Sequence, residues 1–111
     1  MIFPGLGDVK IYLCRHPVDM RSGYDTLAAM ASREFGEDPL KGALFVFLNR
    51  PRNRVKIFYH ESGGFCIWMK RLELGSFALP SGEGDQQRID KGMLTMLLEG
   101  LKIVKMKRFS I

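Results

Sequence analysis

At 111 residues the chain is the length of one domain. With 46% hydrophobic residues it can bury a core without help from disulfides or a metal. Its net charge of +5 and pI of about 9.5 fit nucleic acid, an acidic protein surface or an anionic membrane as partner, and do not choose among them. No apolar run approaches the ~20 residues that a membrane-spanning helix needs, and two cysteines are too few for a disulfide framework.

The opening residues 1–8 are rich in glycine and proline and read as an irregular arm. They lack the charged leader and apolar stretch of a secretory signal, so a cytoplasmic location with reduced thiols at Cys14 and Cys66 is expected. Residues 9–14, VKIYLC, alternate apolar and mixed positions at period two and predict a short strand. The loop RHPVDMR follows, then Ser22 and Asp25 in the S-x-x-D pattern of a capping box. Tyr24, Leu27, Ala28, Ala31 and Phe35 recur at helical spacing, predicting a helix over 23–35 that Gly36 stops.

The middle of the chain is rich in strands. ALFVFL (43–48) is a continuous apolar run, as expected of a strand buried on both faces. RVKIFYH (54–60) sets Val55, Ile57 and Tyr59 against Lys56, Phe58 and His60. ESGG (61–64) is a turn in which Gly63 and Gly64 are free to take positive φ. FCIWMKRL (65–72) is the third strand, with Phe58 and Trp68 expected to share the face opposite Ile57 and Ile67 and to pack there as core. A further short strand is expected near SFAL (76–79), and SGEGDQQ (81–87) reads as an acidic loop. Asp90 then caps a second helix carrying Leu94, Leu97, Leu98 and Leu101 on one face. The order β-α-β-β-β-(β)-α predicts one α+β domain: an antiparallel meander of three to five strands packed with two helices.

The segment NRPRNR (49–54) is the tip joining the second and third strands. A solvated turn explains its polarity, but not its sign: Arg50, Arg52, Arg54 and Lys56 have no acid among residues 49–58 to balance them. Arginine binds phosphate bidentately, so a basic tip is suited to phosphate contact. The tail, residues 102–111, is a second acid-free cluster and includes Lys105, Lys107 and Arg108.

Catalytic patterns are thin. Cys14, His16, His60 and Cys66 are zinc-competent residue types at spacings no structural zinc site uses, so no metal or cofactor is expected. Asp19, Asp25, Glu61 and Glu73 form no visible cluster for two-metal phosphoryl transfer, and no phosphate-binding glycine loop exists. No enzymatic activity is expected.

Three blocks carry a resemblance. VDMRSGYDTLAAMA (18–31) resembles a [TV]-D-M-R-x-G-[FY]-D-x-L-A signature. LFVFLNRPRNRVKIFYHESGGFCIWMKRLELGSFALP (44–80) resembles that family's long second block, with its K-R-L-E-x-G-x-F-x-x-P close, and MLTMLLEGL (93–101) its ending L-x-x-L-L-E-G-[IL]. The family is the second-open-reading-frame accessory protein of insertion sequences of the sixty-six type, called TnpB there and unrelated to the much longer RNA-guided nucleases of that name. The matching positions are Asp19, Met20, Arg21, Gly23, Tyr24, Asp25, Lys56, Gly64, Lys70, Arg71, Leu72, Glu73 and Gly75. The chain departs from the pattern at Phe58-Tyr59-His60-Glu61 and at Lys102-Ile103, where the family often carries tryptophan or an Asp before the turn.

The resemblance implies a transposition accessory protein encoded beside a transposase, with no catalytic residues to transfer. DNA, at transposon ends or without sequence preference, is the expected partner. The contacts are expected from Arg50, Arg52, Arg54, Lys56, Lys70, Arg71, Lys105, Lys107 and Arg108. The alternative is a module that tethers or regulates the transposase without touching DNA, and the resemblance implies the cognate transposase and a companion accessory protein as partners. Asp19, Met20, Arg21, Gly23, Asp25, Glu73 and Gly75 enter as family-motif positions of unassigned role.

Overall fold

The computed structural model describes residues 8–99. The elements follow the expected order: β1 (Ile11–Cys14), α1 (Tyr24–Phe35), β2 (Leu44–Leu48), β3 (Arg54–Glu61), β4 (Gly64–Arg71), β5 (Gln86–Ile89) and α2 (Lys91–Leu98). The five strands form one sheet in the order β4-β3-β2-β1-β5. The fold is α+β as expected, but the sheet is mixed. β1 and β2 run parallel, with Ile11 beside Leu44, because α1 lies between them in the chain and carries it back across the sheet. All other neighbours are antiparallel. The fifth strand is at 86–89 rather than 76–79, pairing with β1 as the sheet's far edge.

β2 is buried on both faces, as its unbroken apolar run requires. Leu44, Val46 and Leu48 pack with Ile11, Leu13, Val55, Ile57 and the α2 residues Leu94 and Leu97. Phe45 and Phe47 turn the other way, joining Cys14, Phe58 and the α1 residues Leu27, Met30 and Ala31. Each helix therefore seals one face. Fully burying a side chain the size of Phe45 or Phe47 contributes about 1.5–3 kcal/mol, so this one strand anchors both layers.

Three local expectations are corrected. Ser22 and Asp25 form no capping box: Gly23 is the N-cap and α1 begins with no side-chain cap, leaving exposed Asp25 to favour the helix start only through the helix dipole. The β3–β4 turn places positive φ at Ser62 and Gly63, not at Gly64, which makes it a two-residue loop with the handedness a hairpin prefers. In the resulting register Ile57 faces Trp68 and Phe58 faces Ile67, so Trp68 shares the α2 face and Phe58 the α1 face. Both still pack as core. Phe58 is fully buried and stacks on Phe65 at 5.0 Å.

Elsewhere the local chemistry is as expected. Gly36 ends α1 at φ +63, and Asp90 Oδ1 caps α2 by accepting from the Met93 N–H at 2.8 Å. Leu101 and the tail cations Lys105, Lys107 and Arg108 lie outside the described residues, as does nearly all of the opening arm. No helix among the described residues is long and apolar enough to cross a membrane.

Candidate nucleic-acid interface

The β2–β3 turn is built around Asn49. Its side-chain oxygen accepts from the N–H groups of Asn53 and Arg54, both at 3.0 Å, and its amide nitrogen donates to Asn53 Oδ1 at 2.7 Å. Its carbonyl accepts from the Arg52 N–H at 3.0 Å, closing a tight turn in which Arg52 adopts φ +57. An asparagine doing the work of backbone groups is a usual turn device; here it frees the intervening side chains to point outward.

The turn is also braced from outside. The Leu72 N–H donates to Asn53 O at 2.8 Å and the Phe77 N–H to Arg52 O at 2.6 Å. Leu72 and Phe77 bury their side chains in the α2-side core, and Gly75 between them takes φ +80, a conformation that suits glycine. The L-E-x-G-x-F spacing is thus a clamp: two buried anchors hold a short loop against the arginine turn. Glu73 within it is exposed and pairs with Arg71 at 3.3 Å.

This turn presents Arg50, Arg52 and Arg54, all exposed, and none has a carboxylate within ion-pairing distance among the described residues. Arg54 lies directly across from Arg71 on β4. Like charges facing each other cost stability, and Glu73 offsets only the Arg71 side of the pair. Arg50, Arg52, Arg54 and Arg71 are therefore brought to one end of the sheet.

The remaining sequence candidates go elsewhere. Lys56 is only 8% exposed, and its ammonium donates to Ser22 O at 2.7 Å, tying β3 to the start of α1. Lys70 is exposed on the opposite face, where its ammonium reaches the Leu98 carbonyl at the end of α2 at 3.3 Å.

The loop between β1 and α1 borders the same end, held there by the Val18 N–H donating to Leu48 O at 2.8 Å. A cleft of about 180 Å³ is lined by Arg15, His16, Pro17, Leu48, Asn49, Arg50, Arg52 and Leu79, and a neighbouring one of about 380 Å³ lies between Pro17–Met20 and Asn49–Arg50. Arg15 is an addition that sequence reasoning missed. Only the parallel β1–β2 pairing brings it beside the turn, and no local pattern signals that pairing. Its guanidinium donates to Pro80 O at 2.9 Å and Gln87 Oε1 at 2.7 Å, so it also anchors the 80–87 loop.

Beyond the cleft, Asp19 and Arg21 form an ion pair at 2.7 Å, with Asp19 Oδ1 also accepting from the Arg21 N–H at 2.8 Å. These bonds from Arg21 hold the Asp19 carboxyl down at about 2. His16 pairs with Glu34 of α1 at 2.9 Å, and that hydrogen bond raises the imidazole pKa above its ordinary value.

The cysteines and histidines do not converge. Burial pushes the Cys14 thiol up to about 12, far from the thiolate a nucleophile needs, and its Sγ lies 3.6 Å from the His16 carbonyl. Among the described residues no three His, Cys, Asp or Glu side chains are grouped to hold a metal ion.

Fold and site together define a small α+β protein with a braced, acid-free arginine turn at one end of a mixed sheet. The chain belongs to the IS66 Orf2-like family, whose model matches residues 9–108, and is accordingly a transposition accessory protein of an insertion sequence. It is similar to two proteins of Sinorhizobium fredii. Uncharacterized protein y4hO is 33% identical over 100 residues, covering 90% of this chain and 87% of the relative. Uncharacterized protein y4jC is 30% identical over 108 residues, covering 97% and 92%. No solved structure matches.

Proposed function

We propose that this accessory protein binds DNA without catalysis, setting the arginines of the β2–β3 turn on backbone phosphates. The observation that carries this reading is the turn itself. Arg50, Arg52 and Arg54 extend without carboxylate partners among the described residues, from a backbone fixed by Asn49 and by the Leu72–Phe77 clamp. Exposed cations ordinarily mix with acids on a surface that has no task. A fixed backbone also lowers the entropy lost when such side chains are ordered on a ligand.

Lys56 and Lys70 are left out of the contact set, because their ammonium groups are engaged with Ser22 and Leu98 carbonyls. Arg71 stays in as the cross-strand neighbour of Arg54. Lys105, Lys107 and Arg108 are proposed as additional phosphate contacts on the ground of their acid-free charge alone.

Contacts of this kind position a protein on the duplex without reading sequence. Fluorescence anisotropy of purified protein on transposon-end and scrambled duplexes at low salt tests the reading. Comparable binding of both is the expected result. No binding to either, together with capture of the protein by its transposase, would replace it with the tethering reading.

A further inference from the structure

We propose that the outer edge of β4 is a pairing surface for a second copy of this chain, joined antiparallel about a two-fold axis at Trp68. β4 is the terminal strand on its side of the sheet, and no described residue pairs with its outer edge. It is eight residues long, and its register with β3 is unbroken from Arg54–Arg71 to Glu61–Gly64, so no bulge interrupts it.

The geometry fixes which groups face outward. A two-residue hairpin closes on a hydrogen-bonded pair, here Glu61–Gly64, and bonded and non-bonded pairs then alternate. The bond from the Leu72 N–H to Asn53 O lies on the same alternation. Gly64, Cys66, Trp68 and Lys70 therefore spend their backbone groups on β3. Phe65, Ile67, Met69 and Arg71 direct their N–H and C=O groups to the open edge.

Chains that live as monomers blunt such edges with proline, inward charge, a bulge or a short strand. This one has no proline, no bulge and no charge before Lys70, and Met69 beside the edge is 57% exposed.

The side chains select a second copy in one orientation. With the axis at Trp68, Ile67 faces Met69 of the second copy and Phe65 faces Arg71 of the second copy, and each facing pair exchanges two backbone hydrogen bonds. Met69 loses its exposure against an aliphatic neighbour, and each Arg71 gains an aromatic face, a favourable cation–π arrangement. A parallel pairing would instead stack Lys70 on Lys70 and Arg71 on Arg71, which like-charge repulsion disfavours. Because antiparallel pairing reverses the strand, the joined sheet carries one arginine turn toward each end of the seam, giving a DNA-binding unit two basic contact points. The inference does not depend on DNA binding: of the proposed phosphate contacts the seam uses Arg71, and none of Arg50, Arg52 or Arg54.

Sedimentation equilibrium of the full chain over a range of micromolar concentrations, without DNA, tests it. The expected species approaches twice the 12.7 kDa chain mass. Met69→Lys, which sets a charge on the edge at an exposed position, is expected to weaken association at least about tenfold. Met69→Pro, which removes an outward N–H that β3 does not use, is expected to do the same. Met96→Lys, at an equally exposed methionine on α2, is the control and is expected to leave association unchanged.

Hydrogen exchange supplies the second readout. The Ile67 and Met69 amides are expected to be protected in the wild-type dimer and open in Met69→Lys, with circular dichroism confirming that the variants fold. A wild type that stays monomeric at every concentration overturns the proposal. If those amides are nevertheless protected in a monomer, the edge is occupied from within the chain. A dimer unaffected by both Met69 substitutions also overturns it.

Discussion

Lys56 bears on two claims at once. Its charge and position fit a basic ribbon, yet the alternation of β3 turns it to the α1 face, where its ammonium meets the carbonyl of Ser22. A charge-assisted hydrogen bond in a buried setting is worth about 1.5–3 kcal/mol. Lys56→Met, which keeps the apolar stem, is expected to lower unfolding stability in chemical denaturation by that order and to leave the salt dependence of DNA binding unchanged. A stable variant with a shallower salt dependence would return Lys56 to the contact set.

His16 gives a pH signature. Its folded pKa is raised by Glu34 above the unfolded value, so the pair's stabilisation is complete below the unfolded pKa near ~6.5 and fades as pH rises through the folded value. The wild-type melting temperature is therefore expected to fall from pH 6 toward pH 8 by more than that of His16→Gln. Parallel profiles for the two proteins would show that the pair contributes nothing.

Among the elements, the Leu72–Phe77 clamp is what distinguishes a braced arginine turn from an ordinary loop. Phe77 is fully buried, and truncating a buried phenylalanine costs about 3–5 kcal/mol. Phe77→Ala is expected to lose stability on that scale and to raise amide exchange at Arg52 and Asn53. A loss of stability with an unchanged turn would show that the turn holds itself.

The same elements show what sequence could and could not reveal. β2 was legible because burial on two faces forces an unbroken apolar run. α2 was legible because Asp90 and the leucine spacing agree. β5 was not, because a four-residue polar edge strand with Ile89 as its single fully buried side chain carries no periodic signal. The absent capping box at Ser22–Asp25 shows the limit of a local motif: the helix starts on Gly23, and the Ser22 carbonyl is taken by a lysine 34 positions away. The arginine turn was readable as a charge imbalance, whereas the approach of Arg15 to it depends on a parallel pairing that only the folded sheet reveals.

For the whole molecule, the charge distribution matters more than its sum. A net charge of +5 spread evenly gives weak, diffuse attraction, but here arginines with no carboxylate partner among the described residues are gathered at one end of the sheet, while Lys56 and Lys70 are engaged elsewhere. Fixed cations in one place make discrete phosphate contacts, and each contact releases condensed counterions. Arg50, Arg52 and Arg54 are proposed to be those contacts. The most direct test is DNA affinity measured at several salt concentrations for wild type and for the Arg50→Ala, Arg52→Ala, Arg54→Ala triple variant, with circular dichroism as the folding control. Exposed substitutions of this kind usually shift stability by no more than about 0.5 kcal/mol each, so the variant is expected to fold. On duplex DNA the logarithm of affinity falls by about 0.9 per phosphate contact for each tenfold rise in salt, so losing three contacts is expected to flatten the slope by roughly 2.7. A folded triple variant with the wild-type slope would show that these arginines do not contact phosphate.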